Sequence, residues 1–232
     1  MRPIDLWRYE VRRAGWTALL TPPVATAALV LIALIDAGTA TDRATARNLL
    51  AALEMAMPLA AGVGAASLVG RDPAVELQLT MPTAYRSTLL RRLAVTFGWA
   101  GLLAVLVVAG LVATGWWERW PASHGPLLGQ LVWLAPTLAL GGLGFLAGAA
   151  FRSPAAAGGI VATCWIVQQV FPGLVQDSAW ARLLYLFATT RGADPAAWTA
   201  NRLTLVAIAL VLGALGWLLL GRTERLLAGE AE

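Results

Sequence analysis

The chain has 232 residues, of which 59% are hydrophobic and only 13% are charged, and its formal net charge is +4. This balance is far from that of a soluble domain and is typical of a protein that is solvated by lipid. All 17 basic residues are arginine, which excludes the lysine of a phosphate-binding P-loop and any Schiff-base lysine; their dispersal along the chain argues against a nucleic-acid partner.

Residues 1–16 are predicted to form an amphipathic helix that lies along the membrane interface. Asp5 can cap this helix, and Arg8 and Arg12 fall on a different face from its apolar residues. The Pro22-Pro23 pair is expected to break it from the first crossing helix, because two prolines remove two backbone donors. The apolar run that follows is too long for a cleaved signal sequence.

Six apolar runs are long enough to cross a hydrocarbon core of about 30 Å as helices. They are residues 17–35, 48–69, 94–114, 126–151, 155–171 and 203–220. Lipid offers no partner to an exposed backbone, and no alternating barrel pattern is present, so each run is predicted to be helical. The fifth run is short and is expected to end in broken helix. The sequence thus predicts an all-α membrane protein with one transmembrane domain, residues 1–232.

Small residues spaced four apart recur inside the predicted spans, where they let helix backbones approach closely. They are Gly62 with Ala66, Gly144 with Gly148, Ala155 with Gly159 and Ala209 with Gly213. Packing within one bundle and contact with a second copy both account for such pairs. Either alternative predicts a compact bundle.

The arginines indicate which way the chain crosses the membrane. With six spans, eleven arginines lie on the side of the two termini and six on the other side. The eleven are Arg2, Arg8, Arg12, Arg13, Arg71, Arg86, Arg91, Arg92, Arg152, Arg222 and Arg225. The positive-inside rule then places both termini in the cytoplasm of a bacterial cell and the chain in its plasma membrane.

The segment 71–92 is a polar island between the second and third spans, on the side of the termini. Asp72 before Pro73 predicts the start of a short helix, which Pro82 ends. A second helix, starting near Thr83, is expected to lead into the third span. The segment offers an apolar surface rimmed by charge, which favours contact with another protein; its residues are Glu76, Leu77, Leu79 and Arg86.

Between the fifth and sixth spans lies a long apolar stretch, residues 172–202, here called the outer segment. Asp177 and Asp194 can each start a short helix, and the tryptophans and leucines between them supply apolar faces. Short re-entrant or interfacial helices are therefore predicted. A moving gate and a static lid are both compatible with this pattern.

Few polar residues fall inside the spans. Glu54 is the carboxylate deepest in a span, where an unpaired charge costs on the order of 3 kcal/mol. Three roles are compatible with this position: Glu54 lines a substrate pathway, pairs with a cation, or hydrogen-bonds to a neighbouring helix. Gln168 and Gln169 are weaker candidates for the pathway. His124 is the sole histidine and Cys164 the sole cysteine, so neither a metal site nor a catalytic constellation is predicted.

In the order of these features the chain resembles the permease subunits of type-2 ABC exporters. The resemblance rests on the N-terminal sequence LWRYEVRR, on the spacing of Glu76, Leu77, Leu79, Pro82 and Arg86, on six spans in about 230 residues, and on the ending WTANRL…RTERLL. It covers nearly the whole chain. In the family, this loop often reads R-E-x-x-x-G-T before its Glu. This chain instead has Arg71-Asp72-Pro73 in that place.

The resemblance implies a function that the residues alone do not. It makes the 71–92 segment a coupling helix that docks on a separate ATP-binding subunit, which Arg8 and Arg12 also approach. The chain would then be no enzyme and would carry no cofactor, since ATP and magnesium belong to the partner. It would pair with a second permease half and export a hydrophobic or amphipathic substrate. The alternative is a non-transporting assembly or sensor subunit that recruits a cytoplasmic partner through the same segment.

Overall fold

A computed structural model describes residues 3–70, 85–120, 124–192 and 194–229, with side chains described for 19–69, 87–120, 124–192 and 194–221. Within these ranges the chain is helical and has no strand. The helices are α1 (Pro3–Asp36), α2 (Asp42–Gly70), α3 (Tyr85–Ala113), α4 (Leu131–Phe151), α5 (Pro154–Val170), α6 (Pro172–Gln176), α7 (Ala188–Arg191) and α8 (Trp198–Gly229). Short 3₁₀ turns cover Leu128–Gln130, Ala181–Leu184 and Pro195–Ala197.

In the part of the chain that the structure describes, five stretches of helix are long and apolar enough to cross a membrane, which confirms a multi-pass helical membrane protein. They are Leu19–Asp36, Asp42–Val69, Ser87–Ala113, Leu128–Phe151 and Pro195–Gly221. The predicted fifth span corresponds to α5, which has 17 residues and ends at Val170. Phe171 is not helical, and α6 begins at Pro172. At helical rise α5 is about 25 Å long, so its crossing of the whole bilayer stays a prediction.

Helices α2 and α4 form the centre of the bundle. Their apolar windows are 78% and 72% buried, whereas the other three are at most 28% buried. A Cβ atom on Gly144 would overlap the carbonyl oxygen of Gly62, so this crossing requires glycine. The predicted close packing of the Gly62 and Gly144 pairs is thus observed within one chain. A Cβ atom on Gly159 or Gly213 would instead meet no atom of a neighbouring element within 4 Å among the described residues.

The predicted break at Pro22 and Pro23 is wrong, because α1 runs through both prolines without interruption. Asp5 accordingly lies inside the helix and not before it. A proline at position 23 leaves the carbonyl of Leu19 without its helical donor. The indole Nε1 of Trp99 on α3 donates to that oxygen at 2.8 Å, which supplies the missing hydrogen bond from a neighbouring helix.

A similar contact occurs beside Pro58 in α2. The indole Nε1 of Trp165 on α5 donates to the carbonyl oxygen of Met55 at 3.1 Å, three residues before that proline. Pro58 removes the helical donor to the Glu54 carbonyl and not to that of Met55, so Trp165 adds a hydrogen bond to this turn, whereas Trp99 replaces a missing one. Such side-chain contacts explain how these helices stay continuous in lipid.

The outer segment contains the predicted short helices, with one change. Asp194 caps the 3₁₀ turn Pro195–Ala197 by accepting from the amide of Ala196 at 3.0 Å. Asp177 starts no helix; it ends α6, whose first turn is set by Pro172. Proline, with φ preset for a helix, outweighs the aspartate as the start signal here.

The loop 37–41, residues 114–120 and 124–130, and the described part of the outer segment meet at one end of the bundle. Arg119 and Asp42 form an ion pair of 2.8 Å there, and the Nε1 of Trp120 donates to the carbonyl of Thr189 at 3.1 Å. Gly70 and Tyr85, which flank residues 71–84, lie at the opposite end.

We expect Trp99→Phe to lower the free energy of unfolding by about 1 kcal/mol, because it leaves the Leu19 carbonyl without a donor. In a Pro23→Ala background the loss should be smaller, since the restored amide of residue 23 can reach that oxygen. Reversible unfolding in mixed micelles measures both values. Trp99→Phe removes the same ring area in the original chain and in the Pro23→Ala variant. Equal losses of unfolding free energy in the two would therefore show that the hydrogen bond contributes nothing.

Candidate functional site

The carboxylate of Glu54 lies in a fully buried polar cluster beneath the outer segment. Its Oε1 accepts from the amide of Thr189 at 2.9 Å, and its Oε2 accepts from the amide and the hydroxyl of Thr190 at 3.0 and 2.6 Å. Both amides belong to the first turn of α7, where helix N–H groups lack internal partners. Glu54, on α2, therefore caps α7.

Arg202 supplies the balancing charge. Its Nη2 donates to Glu54 Oε1 and to the hydroxyl of Thr189, the latter at 2.6 Å, and its Nη1 donates to the carbonyl of Leu186 at 3.0 Å. Both charged side chains are fully shielded from solvent. A buried ion pair remains stable only when further hydrogen bonds satisfy the remaining lone pairs and protons, and the two threonines and the Leu186 carbonyl meet much of that need.

A stack of aromatic rings covers the cluster. Trp198, one helical turn before Arg202, donates through Nε1 to the Thr189 hydroxyl at 2.9 Å, and the guanidinium lies 5.7 Å from its ring centre. The ring of His124 stacks on Trp198 with centroids 3.7 Å apart and planes inclined by 16°. His124 has a φ of 60°, which is uncommon for a residue with a side chain; the stacking offsets this strain.

The side-chain amides of Asn201 and Gln168 hold the part of the outer segment that precedes α7. Asn201 donates through Nδ2 to the carbonyls of Arg182, Leu183 and Tyr185 at 2.9 to 3.1 Å. Gln168 on α5 accepts from the amide of Leu186 at 2.8 Å. Burial raises the pKa of Tyr185 to about 12, so this phenol stays neutral at any physiological pH. The outer segment is thereby fastened to α2, α5 and α8 together.

The cluster joins α2, α7 and α8. The Thr190 hydroxyl lies beside a carboxylate, but both groups are buried and the carboxylate is paired with Arg202. Among the described residues no three side chains of the metal-ligand types come together.

A groove beside the cluster is more accessible. It has a volume of about 500 Å³ and lies between α1 and α2 at the outer-segment end. Its walls are apolar apart from Asp36 and Asn48, which are hydrogen-bonded at 3.0 Å, and Arg191, whose Nη1 donates to the carbonyl of Gln169 at 3.3 Å. Ile32 and Ala51 lie on opposite walls. This region is called the outer groove below.

The structure separates the predicted pathway residues. Glu54 meets a cation, one of the roles considered for it, but faces only protein donors. Gln168 is buried and binds the outer segment, whereas Gln169 is half-buried next to Arg191 at the outer groove. Asp72, Glu76, Leu77, Leu79 and Pro82 lie outside the described residues, as do the side chains of Arg8, Arg12 and Arg86.

Sequence reasoning missed Arg202, Thr189 and Thr190 as partners of Glu54. Arg202 was counted among the residues between spans, whereas α8 begins at Trp198 and includes it. One signal could have found it: a lone carboxylate deep in a span needs a cation, and Arg202 adjoins the last apolar run. The threonines carry no such signal, because their backbone amides make two of the contacts.

Comparison of the chain with protein-family models, with curated protein sequences and with solved structures gave no match. The fold by itself defines the class of protein, which is a multi-pass helical membrane protein with a buried ion pair beneath one end of the helix bundle.

We expect Glu54→Gln and Arg202→Met each to lower the free energy of unfolding by about 3–5 kcal/mol, because each leaves one buried charge uncompensated. The double variant should lose far less than the sum of the two. Unfolding in mixed micelles gives the coupling energy of this double-mutant cycle.

The matched control is the Arg119–Asp42 pair at the same end, whose side chains are 43% and 77% exposed. Its cycle, from Arg119→Gln and Asp42→Asn, should give about 0–1 kcal/mol. Equal coupling energies for the two pairs would refute the role given to burial.

Proposed function

We propose that this chain is the permease subunit of an ABC exporter in a bacterial plasma membrane. Both termini face the cytoplasm, and two such halves form the transporter with two ATP-binding subunits. ATP and magnesium are bound by those subunits, so this chain performs no catalysis. The six spans of the proposal are the five apolar windows together with α5.

One observation supports the proposal most: α2 leads directly into the 71–92 segment at one end and carries Glu54 near its middle, beneath the outer segment. From Glu54 to Gly70 the helix is about 24 Å long, and it packs against α1, α3, α4 and α5. A displacement of the 71–92 segment by an ATP-binding subunit would therefore move the centre of the bundle directly.

The buried cluster extends this mechanical path. Because Glu54 binds both α7 and Arg202, a movement of α2 is transmitted to the outer segment and to α8. The outer segment thus acts as a gate that moves with the central helix. A static lid would not need a charged joint, since apolar packing alone would hold it with a lower desolvation cost.

The outer groove is the proposed contact for substrate on this half. It is mainly apolar, it borders the moving outer segment through Arg191, and its α1 wall is exposed, with Ile32 at 61% and Ile35 at 71%. A second half placed against this side would close the groove into a passage. The lining fits a hydrophobic or amphipathic substrate with a small polar end.

Changes in the 71–92 segment should uncouple the chain from its motor. We expect Glu76→Ala and Leu79→Ala each to reduce substrate-stimulated ATPase activity of the copurified complex at least fivefold, because both lie on the proposed docking surface. Leu127→Ala is the matched control: this leucine is 90% exposed at the opposite end and its change should have no effect.

Copurification from the native host, followed by mass spectrometry, identifies the partner chain and any bound amphiphile. A partner with the P-loop pattern GxxxxGK[ST] supports the proposal. If a partner binds through this segment but hydrolyses no ATP, the chain is instead a non-transporting assembly or sensor subunit.

Filling the outer groove should block transport without weakening assembly. We expect Ala51→Trp to lower transport in vesicles at least fivefold while ATP-binding subunits still copurify. Ala155→Trp, at an exposed alanine on α5 outside the groove, is the control and should leave transport near its original rate. Equal effects of the two variants would remove the groove from the proposed pathway.

A further inference from the structure

A second apolar groove lies between α3, α4 and α8, and the proposed transport cycle makes no use of it. Its volume is about 510 Å³. Gly142 on α4 lies in its floor, Leu90 and Phe97 on α3 form one wall, and Gly213 and Trp217 on α8 form the other. All three helices contribute these residues from their membrane-crossing windows, so the medium beside the groove is hydrocarbon.

The groove covers half of the membrane thickness. Along α8 it runs from Val206 to Trp217, which is about 16 Å at helical rise, against roughly 30 Å for the hydrocarbon core. It begins at Leu90, near the start of α3 and at the end of the bundle away from the outer segment. Its length therefore matches the chains of one leaflet.

These dimensions favour a lipid chain over a protein helix. The volume and the length of the groove describe a narrow, elongated space open to the surrounding lipid. A helix that docks in a membrane makes contact along most of its roughly 30 Å crossing. A flexible hydrocarbon chain fills a narrow groove of leaflet depth, and filling it recovers dispersion contacts that an empty groove lacks.

The two ends of the groove differ in polarity. Arg91, a half-buried residue, directly follows Leu90 at the membrane-surface end, and Trp217 lies at the same end of the α8 wall. Arginine and tryptophan are the residue types that favour the headgroup layer. The other end, near Leu138 and Val206, lies at mid-membrane and is apolar.

We infer that this groove is a specific binding site for one acyl chain of a phospholipid. The lipid comes from the leaflet on the side of the chain termini, and its phosphate lies at the level of Arg91. Gly213 keeps the site open: a Cβ there would meet no atom within 4 Å, and a larger side chain would occupy the space of the lipid chain. The inference does not rest on transport, because it needs only this chain and a bilayer.

The test uses the full chain in nanodiscs that contain a phospholipid with a diazirine in the middle of one acyl chain. After illumination, mass spectrometry maps the labelled peptides. We expect labelling of residues 90–97, 138–145 and 206–217 at least threefold above that of Leu102, Val105 and Leu106 of α3, which are exposed and lie outside both grooves. Gly213→Phe should reduce this excess at least threefold.

Gly110→Phe is the matched control. Gly110 is also a helix glycine with no atom within 4 Å of its Cβ position, but it lies outside the groove. Gly110→Phe should therefore leave the labelling of the groove residues unchanged. Gel filtration and circular dichroism confirm folding of each variant, and Ala94→Phe on the opposite wall replaces Gly213→Phe if that variant misfolds. Even labelling of all lipid-facing helices, or an excess that the groove variants do not reduce, would overturn the inference.

Discussion

A charge buried in a membrane protein must find its counter-charge inside the protein, and the pairing of Glu54 with Arg202 meets this constraint. The pair joins α2 to α8 across 148 positions of sequence. Through the amides of Thr189 and Thr190 it also holds α7, and with α7 the outer segment. Trp198 covers the pair, and His124 extends this cover to the loop after α3. The end of the bundle where three loops meet is therefore organised around one carboxylate.

The remainder of the bundle relies on close contact between small residues. Gly62 and Gly144 bring α2 and α4 together at a distance that any side chain would prevent. In lipid, dispersion and interhelical hydrogen bonds replace the hydrophobic effect as the forces between helices. Trp99 and Trp165 add such interhelical hydrogen bonds beside the prolines of α1 and α2. Trp99 gives the Leu19 carbonyl the donor that Pro23 lacks.

The two grooves illustrate different consequences of this construction. The outer groove lies beside the moving parts of the proposed exporter and combines apolar walls with a few polar groups at its end. The groove between α3, α4 and α8 is apolar, extends over one leaflet and is remote from the buried cluster. Peripheral helices that pack on the central pair from different sides leave such spaces between them, because α3 packs mainly on α1 and α2 whereas α8 packs mainly on α4. The proposed contacts for lipid and for substrate thus lie at separate places on one small bundle.

The sequence by itself determined the class of protein and the approximate position of each helix, because long apolar runs have few structural solutions in lipid. Three features were recognisable from local sequence alone. They are the helix cap at Asp194, the small-residue spacing at Gly144 and the single carboxylate within an apolar run, Glu54. Only the tertiary structure decided that α1 continues through Pro22 and Pro23, where Trp99 from another helix supplies a donor. It alone identified Arg202 as the partner of Glu54, because no local pattern encodes which distant residues meet inside the bundle.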